Sequence, residues 1–227
     1  MSSIEFQNQR THLHEFTELE NPAFVSHFTN RFVGTECLAP NELLLTEKFS
    51  KTRLSHFCTG RFAAKEAFKK LGIKNSEILT GKEGEPIWPD GIVGSISHCN
   101  ELVGAIINND PTIRSLGLDI ERTGKIKPKM WSNYLTSNEI AFLNQVKDSE
   151  KDFYATLYFS LKESFYKAQY PITGIKLWFT DVEITNPDNS FQVKVIKDDF
   201  ELDPGTIQMD YRFVKSNNCI VTSCVII

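Results

Sequence analysis

The sequence predicts an α+β protein, and three observations predict it. Two long helical stretches, 42–71 and about 151–169, are each followed by a group of short β-like runs. Two of those runs, Val93–Ser97 and Leu102–Ile107, are joined by Cys99-Asn100-Glu101, short enough for an antiparallel hairpin. Finally, Arg61–Lys70 is echoed by Tyr158–Lys167 at an offset of 97, with Phe, Lys, Glu, Phe and Lys coinciding. The echo suggests two similar halves with a cleft between them. Amphipathic helices share such patterns without duplication, so the echo alone leaves both readings open.

Along the chain, residues 1–40 are mixed and polar with no clear period. The helix over 42–71 has a break near Ser50, and Gly72 stands where a C-terminal cap belongs. A Gly/Pro-rich loop spans Gly81–Gly91, then strands are expected at Val93–Ser97, Leu102–Ile107 and Leu116–Ile120. The polar stretch 122–130 reads as a linker between a half of 1–121 and a half of 131–227. Helix resumes from Ser137 to about Val146, and a long helix from about Lys151 to Gln169 is expected to stop at Pro171. Strands follow at about 176–184, 191–196, 206–214 and 219–226, with turns at Asn186-Pro187-Asp188-Asn189 and Asp203-Pro204-Gly205.

The 227 residues are enough for one large domain or two fused small ones, and 41% hydrophobic content suits a soluble globular chain. A net charge of −4 gives no global signal for nucleic acid or an anionic membrane, so local basic residues must carry any phosphate binding. Five Cys form no CxxC pair and no Cys/His zinc spacing, which favours reduced thiols. No run approaches the ~20 apolar residues of a membrane span, and MSSIEFQNQR lacks an apolar signal segment, so a cytoplasmic protein is expected.

Three runs carry the chemistry. In Gly117-Leu-Asp-Ile-Glu121, alternation puts Asp119 and Glu121 on one strand face and Ile120 on the other. In Lys162-Glu-Ser-Phe-Tyr-Lys167, Glu163 and Lys167 share a helical face. In Gly94-Ser-Ile-Ser-His98, Ser97 and His98 end a strand and point to opposite faces, which argues against a Ser-His hydrolase. Carboxylates in one cleft beside a His and a Lys suit Mg²⁺ and phosphate. Each feature also has a plain reading: Asp-x-Glu as a solvated face, Glu163–Lys167 as a surface pair, His98 as a structural ring. Arg53 and Arg61 lie about 80° apart and roughly 12 Å along one helix, so both can reach one cleft while a solvated role also suits each.

In this order, and with Arg53-Leu-Ser-His-Phe-Cys-Thr-Gly-Arg61 and Gly84-Glu-Pro-Ile-Trp-Pro89, the runs resemble the Sfp-type 4′-phosphopantetheinyl transferases. The resemblance covers roughly residues 40–170 and is strongest to the branch of enterobactin synthase component D. It implies a pseudo-two-fold fold, each half a long helix on a small, mainly antiparallel sheet, with coenzyme A between the halves. It implies transfer of 4′-phosphopantetheine from coenzyme A to a serine of an apo acyl, peptidyl or aryl carrier protein, releasing adenosine 3′,5′-bisphosphate. Asp119, Glu121 and Glu163 would then hold Mg²⁺, with Glu163 as ligand or general base, and Lys167 would contact the pyrophosphate. Ser97, His98, Arg53 and Arg61 would bind coenzyme A, His98 as protonated imidazole; the basic residue that family members often carry before the Pro86 position is either displaced to Lys82 or missing, since Gly84 and Glu85 take the nearest places. A monomer is expected. Two other classes use the same residues: a non-catalytic module binding coenzyme A or a carrier, and an Mg²⁺-dependent phosphate-ester hydrolase. Siderophore or other nonribosomal peptide assembly is the pathway the branch suggests. Lys125–Met130 is the candidate docking segment for the carrier.

Overall fold

Ser50 breaks the first helical stretch by capping its second part. The computed structural model describes residues 16–74, 76–185, 191–197 and 200–227, so the turn expected at 186–189 lies outside the described residues. A short helix α1 (Pro40–Leu44) precedes α2 (Lys51–Lys70), and the Ser50 hydroxyl accepts from the Arg53 N–H at 3.3 Å. At the other end Gly72 adopts φ 74°, while the N–H groups of Gly72 and Ile73 bond the carbonyls of Lys69 and Phe68. This is the paired closure that a left-handed residue permits at a helix end.

The strands are β1 (Val25–Thr29), β2 (Leu79–Thr80), β3 (Pro86–Ile87), β4 (Val93–His98), β5 (Val103–Asn108), β6 (Ser115–Arg122), β7 (Val182–Thr185), β8 (Gln192–Val195), β9 (Ile207–Val214) and β10 (Cys219–Ile226). β1 falls in the stretch that showed no period, where five residues after Pro22 are too few to display one. β4 and β5 form the expected hairpin. The two main sheets have the orders β1-β5-β4 and β6-β10-β9, both antiparallel. In each, the first strand leads through a long helix to a hairpin whose last strand returns to the centre. Helix α2 covers the first sheet, and α5 (Asp148–Thr173) covers the second. Phe28, Leu102, Ile106, Leu118, Ile120 and Val221 fill the core between the sheets. The division expected at 121/131 puts β6 with the first half. In the structure β6 pairs with β10 along its whole length, so the sheets change over between Asn108 and Ser115.

Two short helices, α3 (Trp131–Tyr134) and α4 (Ser137–Leu143), lie between the halves in sequence. Helix α5 runs through Pro171 and ends at Gly174, φ 65°, where the Gly174 N–H bonds the Tyr170 carbonyl. In the last turn Pro171 forfeits a single helical bond. Ile172 beyond it packs on the core and Gln169 ties down the Ile175 carbonyl, which holds the helix past the proline.

The echo in sequence is a shared device in space. Lys162 lies buried in α5 and donates to Glu139 at 2.6 Å and to the carbonyls of Tyr134 and Phe179. The Glu139 carboxylate also accepts from the N–H groups of Thr136 and Ile184. Ninety-seven residues earlier, Lys65 donates to Glu42 at 2.5 Å and to the Cys37 carbonyl, and Glu42 accepts from Ala39 and Ile78. Each pair pins a long helix to the short helix before it and to a strand region beyond it.

The two pairs differ in hydration. The Lys162 side chain is 2% exposed, against 23% for Lys65. Removing one partner of a buried pair strands the other charge, at about 3–5 kcal/mol. Glu139→Ala should therefore lose that much in urea unfolding, and Glu42→Ala clearly less, because Lys65 can rehydrate. Equal losses, or less than about 1 kcal/mol for Glu139→Ala, would contradict this reading.

Candidate active site

Glycine at position 117 lets the site form. A Cβ there would lie 1.8 Å from the Ser164 carbonyl oxygen, so only glycine lets α5 approach β6 this closely. Apolar Leu116, Leu118 and Ile120 face the core between the sheets, and Asp119 faces α5. The strand alternation read from the sequence is thus realised as a division between core and site.

β4 lies beside β6, joined by side chains. The Ser95 hydroxyl accepts from the Leu118 N–H at 2.9 Å, and the Ser97 hydroxyl from the Ile120 N–H at 3.2 Å. Ser97 also donates to Asp119 Oδ1 at 3.2 Å. Buried Asp119 accepts from Lys167 Nζ at 2.8 Å on Oδ1 and from Ser160 at 2.8 Å on Oδ2. Lys167 donates further to Ser97 and to the Leu118 carbonyl. Ser160 in turn contacts the Thr222 hydroxyl on β10 at 2.9 Å. One carboxylate therefore ties β4, β6 and α5 together.

Glu121 and Glu163 flank this cluster. Burial first, then the Asp119 charge, pushes Glu121 up to about 7. The same two causes raise Glu163. Lys125 offsets part of this, 3.4 Å from Glu121. Among the described residues the Glu163 carboxylate makes no hydrogen bond or ion pair, and it borders an apolar pocket with Phe165, Tyr166, Leu177, Trp178 and Phe179. The three carboxylates do not close within 4.8 Å of one another as a ligand set, because Asp119 is turned to Lys167, Ser97 and Ser160. Their chemistry nevertheless fits a hard divalent cation: oxygen donors whose charge is disfavoured by burial and by one another.

His98 leaves β4 on the side opposite Ser97 and stacks on His56 of α2, with ring centroids 4.2 Å apart. The protein packed around the ring, then electrostatic repulsion involving His56 and Lys167, lower His98 to about 4. The ring is neutral near pH 7, in contrast to the protonated imidazole that the resemblance implied. Arg53 is exposed over the Phe49 ring, while Arg61 is buried over Phe57. Both border one groove, as their helical spacing allowed, together with His56 and His98. Arg61 is committed to the fold: it donates to the carbonyls of Ile78 and Leu79 and to Thr80, and burial lowers it to about 10. Lys82 is exposed at the tip of the β2–β3 turn, and its neighbours Thr80, Gly84 and Pro86 border the groove instead. In the 125–130 segment Ile126 is buried, Lys125 pairs with Glu121 and Lys127 with Asp152, while Pro128 and Lys129 are exposed.

Two family models match consecutive parts of the chain. The 4′-phosphopantetheinyl transferase N-terminal domain matches residues 40–108, and the 4′-phosphopantetheinyl transferase superfamily matches residues 115–214. The chain belongs to this superfamily. The break between the two models coincides with the change of sheet between β5 and β6. The transferase Svp of Streptomyces mobaraensis is 35% identical over 153 residues, 66% of this chain and 62% of that protein. PptT of Mycobacterium tuberculosis is 34% identical over 146 residues, 64% of each. Enterobactin synthase component D of Salmonella typhi is 32% identical over 120 residues, 52% of this chain and 49% of that protein. The chain thus spans less than two thirds of these relatives, and Svp and PptT match over longer stretches than the expected branch. Among solved structures, the holo-[acyl-carrier-protein] synthase of Thermotoga maritima covers 50% of this chain and 63% of its own at TM-score 0.40 and 21% identity.

In this transferase-superfamily chain the residues to which the sequence reading gave no role are polar supports: Ser95, within the Gly94–His98 run, and Ser160 and Thr222 outside the motifs. Ser160 carried a signal, since it precedes Glu163 by three on the same helix. Glu121 has a consequence for stability. Its folded value is raised from 4.5 to about 7, so within that window the folded protein holds a proton that the unfolded chain has released. Stability therefore falls as pH rises through the window, and below it both states are protonated. Without divalent cations, Glu121→Gln should flatten this slope and gain ~1–3 kcal/mol above about pH 7. Urea unfolding across the range checks it, and an unchanged slope would count against the shift.

Proposed function

We propose that the protein transfers 4′-phosphopantetheine from coenzyme A to a serine hydroxyl of an apo carrier protein, leaving adenosine 3′,5′-bisphosphate. The observation that carries this reading is the meeting of Asp119, Glu121, Glu163 and Lys167 at the joint between the two sheets of a transferase-superfamily chain. A groove from Arg53 past His56 and His98 leads toward Glu121 and Lys125, which suits a long anionic ligand. Lys82 is an exposed further cation near that groove.

Asp119, Glu121 and Glu163 would hold Mg²⁺. When bound, such an ion would supply counter-charge to the pyrophosphate. The chain's own residues do the rest. Lys167 neutralises Asp119 in the free protein and supplies positive charge for the pyrophosphate and the leaving phosphate. Ser97 holds Lys167 and the Ile120 N–H in place, fixing the cluster against β4. Glu163, whose carboxylate has no hydrogen-bond partner among the described residues, completes the ion's ligands or, where Asp119 and Glu121 hold the ion, accepts the serine proton. The serine oxygen bonds to the β-phosphorus as the bond to the bridging oxygen breaks, and that oxygen leaves on the bisphosphate. Arg53, free on its outer side, takes the 3′-phosphate end, and His98 supports the nucleotide beside it. The apolar pocket bordered by Trp178, 77% exposed, and Tyr166 adjoins Glu163 and suits the pantetheine arm or the incoming carrier. Work as a monomer in the cytoplasm, on carriers of siderophore or other nonribosomal peptide assembly, is consistent with this reading.

Incubation with coenzyme A, Mg²⁺ and apo acyl, peptidyl and aryl carriers, read by intact mass, tests the proposal. A carrier heavier by one phosphopantetheinyl group is expected. Unmodified carriers with intact coenzyme A would favour a binding module, and coenzyme A cleaved without a modified carrier a hydrolase. Asp119→Asn should abolish transfer, and near-normal turnover would remove Asp119 from the site. The two arginines should separate. Arg53→Ala should weaken coenzyme A by about 10- to 150-fold and dephospho-coenzyme A much less. Arg61→Ala should act first on stability, because three acceptors lose their donor. Calorimetric titration of both ligands with parallel urea unfolding decides this, and equal losses for the two ligands in Arg53→Ala would place Arg53 elsewhere.

A further inference from the structure

We propose that Cys99, Cys219 and Glu101 form a second cation site, selective for a thiophilic divalent ion such as zinc and separate from the oxygen site at Asp119. Cys99 lies in the turn after β4, and Cys219 opens β10. Their sulfurs are 3.4 Å apart, and a Glu101 carboxylate oxygen lies within 4.8 Å of both. With zinc–sulfur bonds of about 2.3 Å, tetrahedral geometry sets two thiolates roughly 3.8 Å apart, so a shift of a few tenths of an ångström would seat the ion.

The surroundings favour such a site. The Cys99 and Cys219 sulfurs are in direct contact, and neither belongs to a disulfide. Arg122 holds the Glu101 carboxylate at 3.2 Å, and Asn217 donates to the Glu101 carbonyl at 2.9 Å. Contacts of this kind orient ligands in metal sites. Cys99 and Glu101 border the open groove that also reaches His98 and Glu121, giving the ion a route in and room for a water as fourth ligand. Two sulfur donors disfavour Mg²⁺, so the two sites would take different ions. An ion here would fasten the β4–β5 turn of the first half to β10 of the second, beside His98.

Zinc titrated into the reduced, chelator-treated full chain against a chromophoric chelator tests the proposal. The titration is repeated with cobalt(II), whose thiolate ligation gives charge-transfer absorption. One equivalent should bind and produce the band. Cys99→Ser and Cys219→Ser should each abolish the normal band and weaken zinc by more than the roughly 10–100-fold typical of losing an outer partner. Glu101→Gln should weaken zinc yet keep a band. Asp119→Asn should leave zinc binding unchanged, which separates this site from the catalytic one. Circular dichroism establishes that each variant is folded, and half-buried Cys99 gives the variant least dependent on core packing. No stoichiometric binding by the wild type, unchanged binding in Cys99→Ser, or loss in Asp119→Asn would overturn the proposal.

Discussion

Asp119 is the carboxylate on which both halves converge. It sits in β6, receives Lys167 and Ser160 from α5, and receives Ser97 from β4 of the other sheet. The arrangement exists because Gly117 lets α5 close on β6, and because Ser95 and Ser97 satisfy β6 N–H groups with hydroxyls. A side-chain seam is more adjustable than a backbone ladder. It lets a cleft open at the junction while the core between the sheets stays filled.

The charge arrangement follows from that geometry. Lys167 compensates one carboxylate of three, and Glu121 and Glu163 are pushed toward their neutral forms by burial and by Asp119. The site is thus short of positive charge, a cost that a bound cation would relieve. The buried Lys162–Glu139 pair, whose lysine is next to Glu163 in α5, keeps the helix fixed in place.

Much of this was legible in the sequence. Alternation in β6 assigned Asp119 and Ile120 to opposite faces, and helical spacing placed Glu163 and Lys167 together. The 97-residue echo marked a shared device, although its acidic partners, Glu42 and Glu139, lie outside the echoed segment and were visible only in space. Arg61 looked like a ligand residue, yet its guanidinium binds backbone carbonyls that only the fold brings near. β6 was grouped with the strands before it because sequence proximity hides a partner more than ninety residues away. His98 was expected to be charged, and burial of its ring, then the neighbouring His56 and Lys167, reversed that. Local pattern reports faces and periods, whereas charge state and sheet partner depend on contacts distant in sequence.

The most direct test of the carboxylate cluster as one cation site is proton release. Mg²⁺ is titrated calorimetrically, near pH 7, into protein already saturated with coenzyme A, in buffers of different ionisation enthalpy. Because Glu121 is raised to about 7, the cation should expel a fraction of a proton. That release should shrink at higher pH and disappear with the binding heat in Asp119→Asn. Mg²⁺ binding with no proton release, or with undiminished heat in Asp119→Asn, would contradict the account.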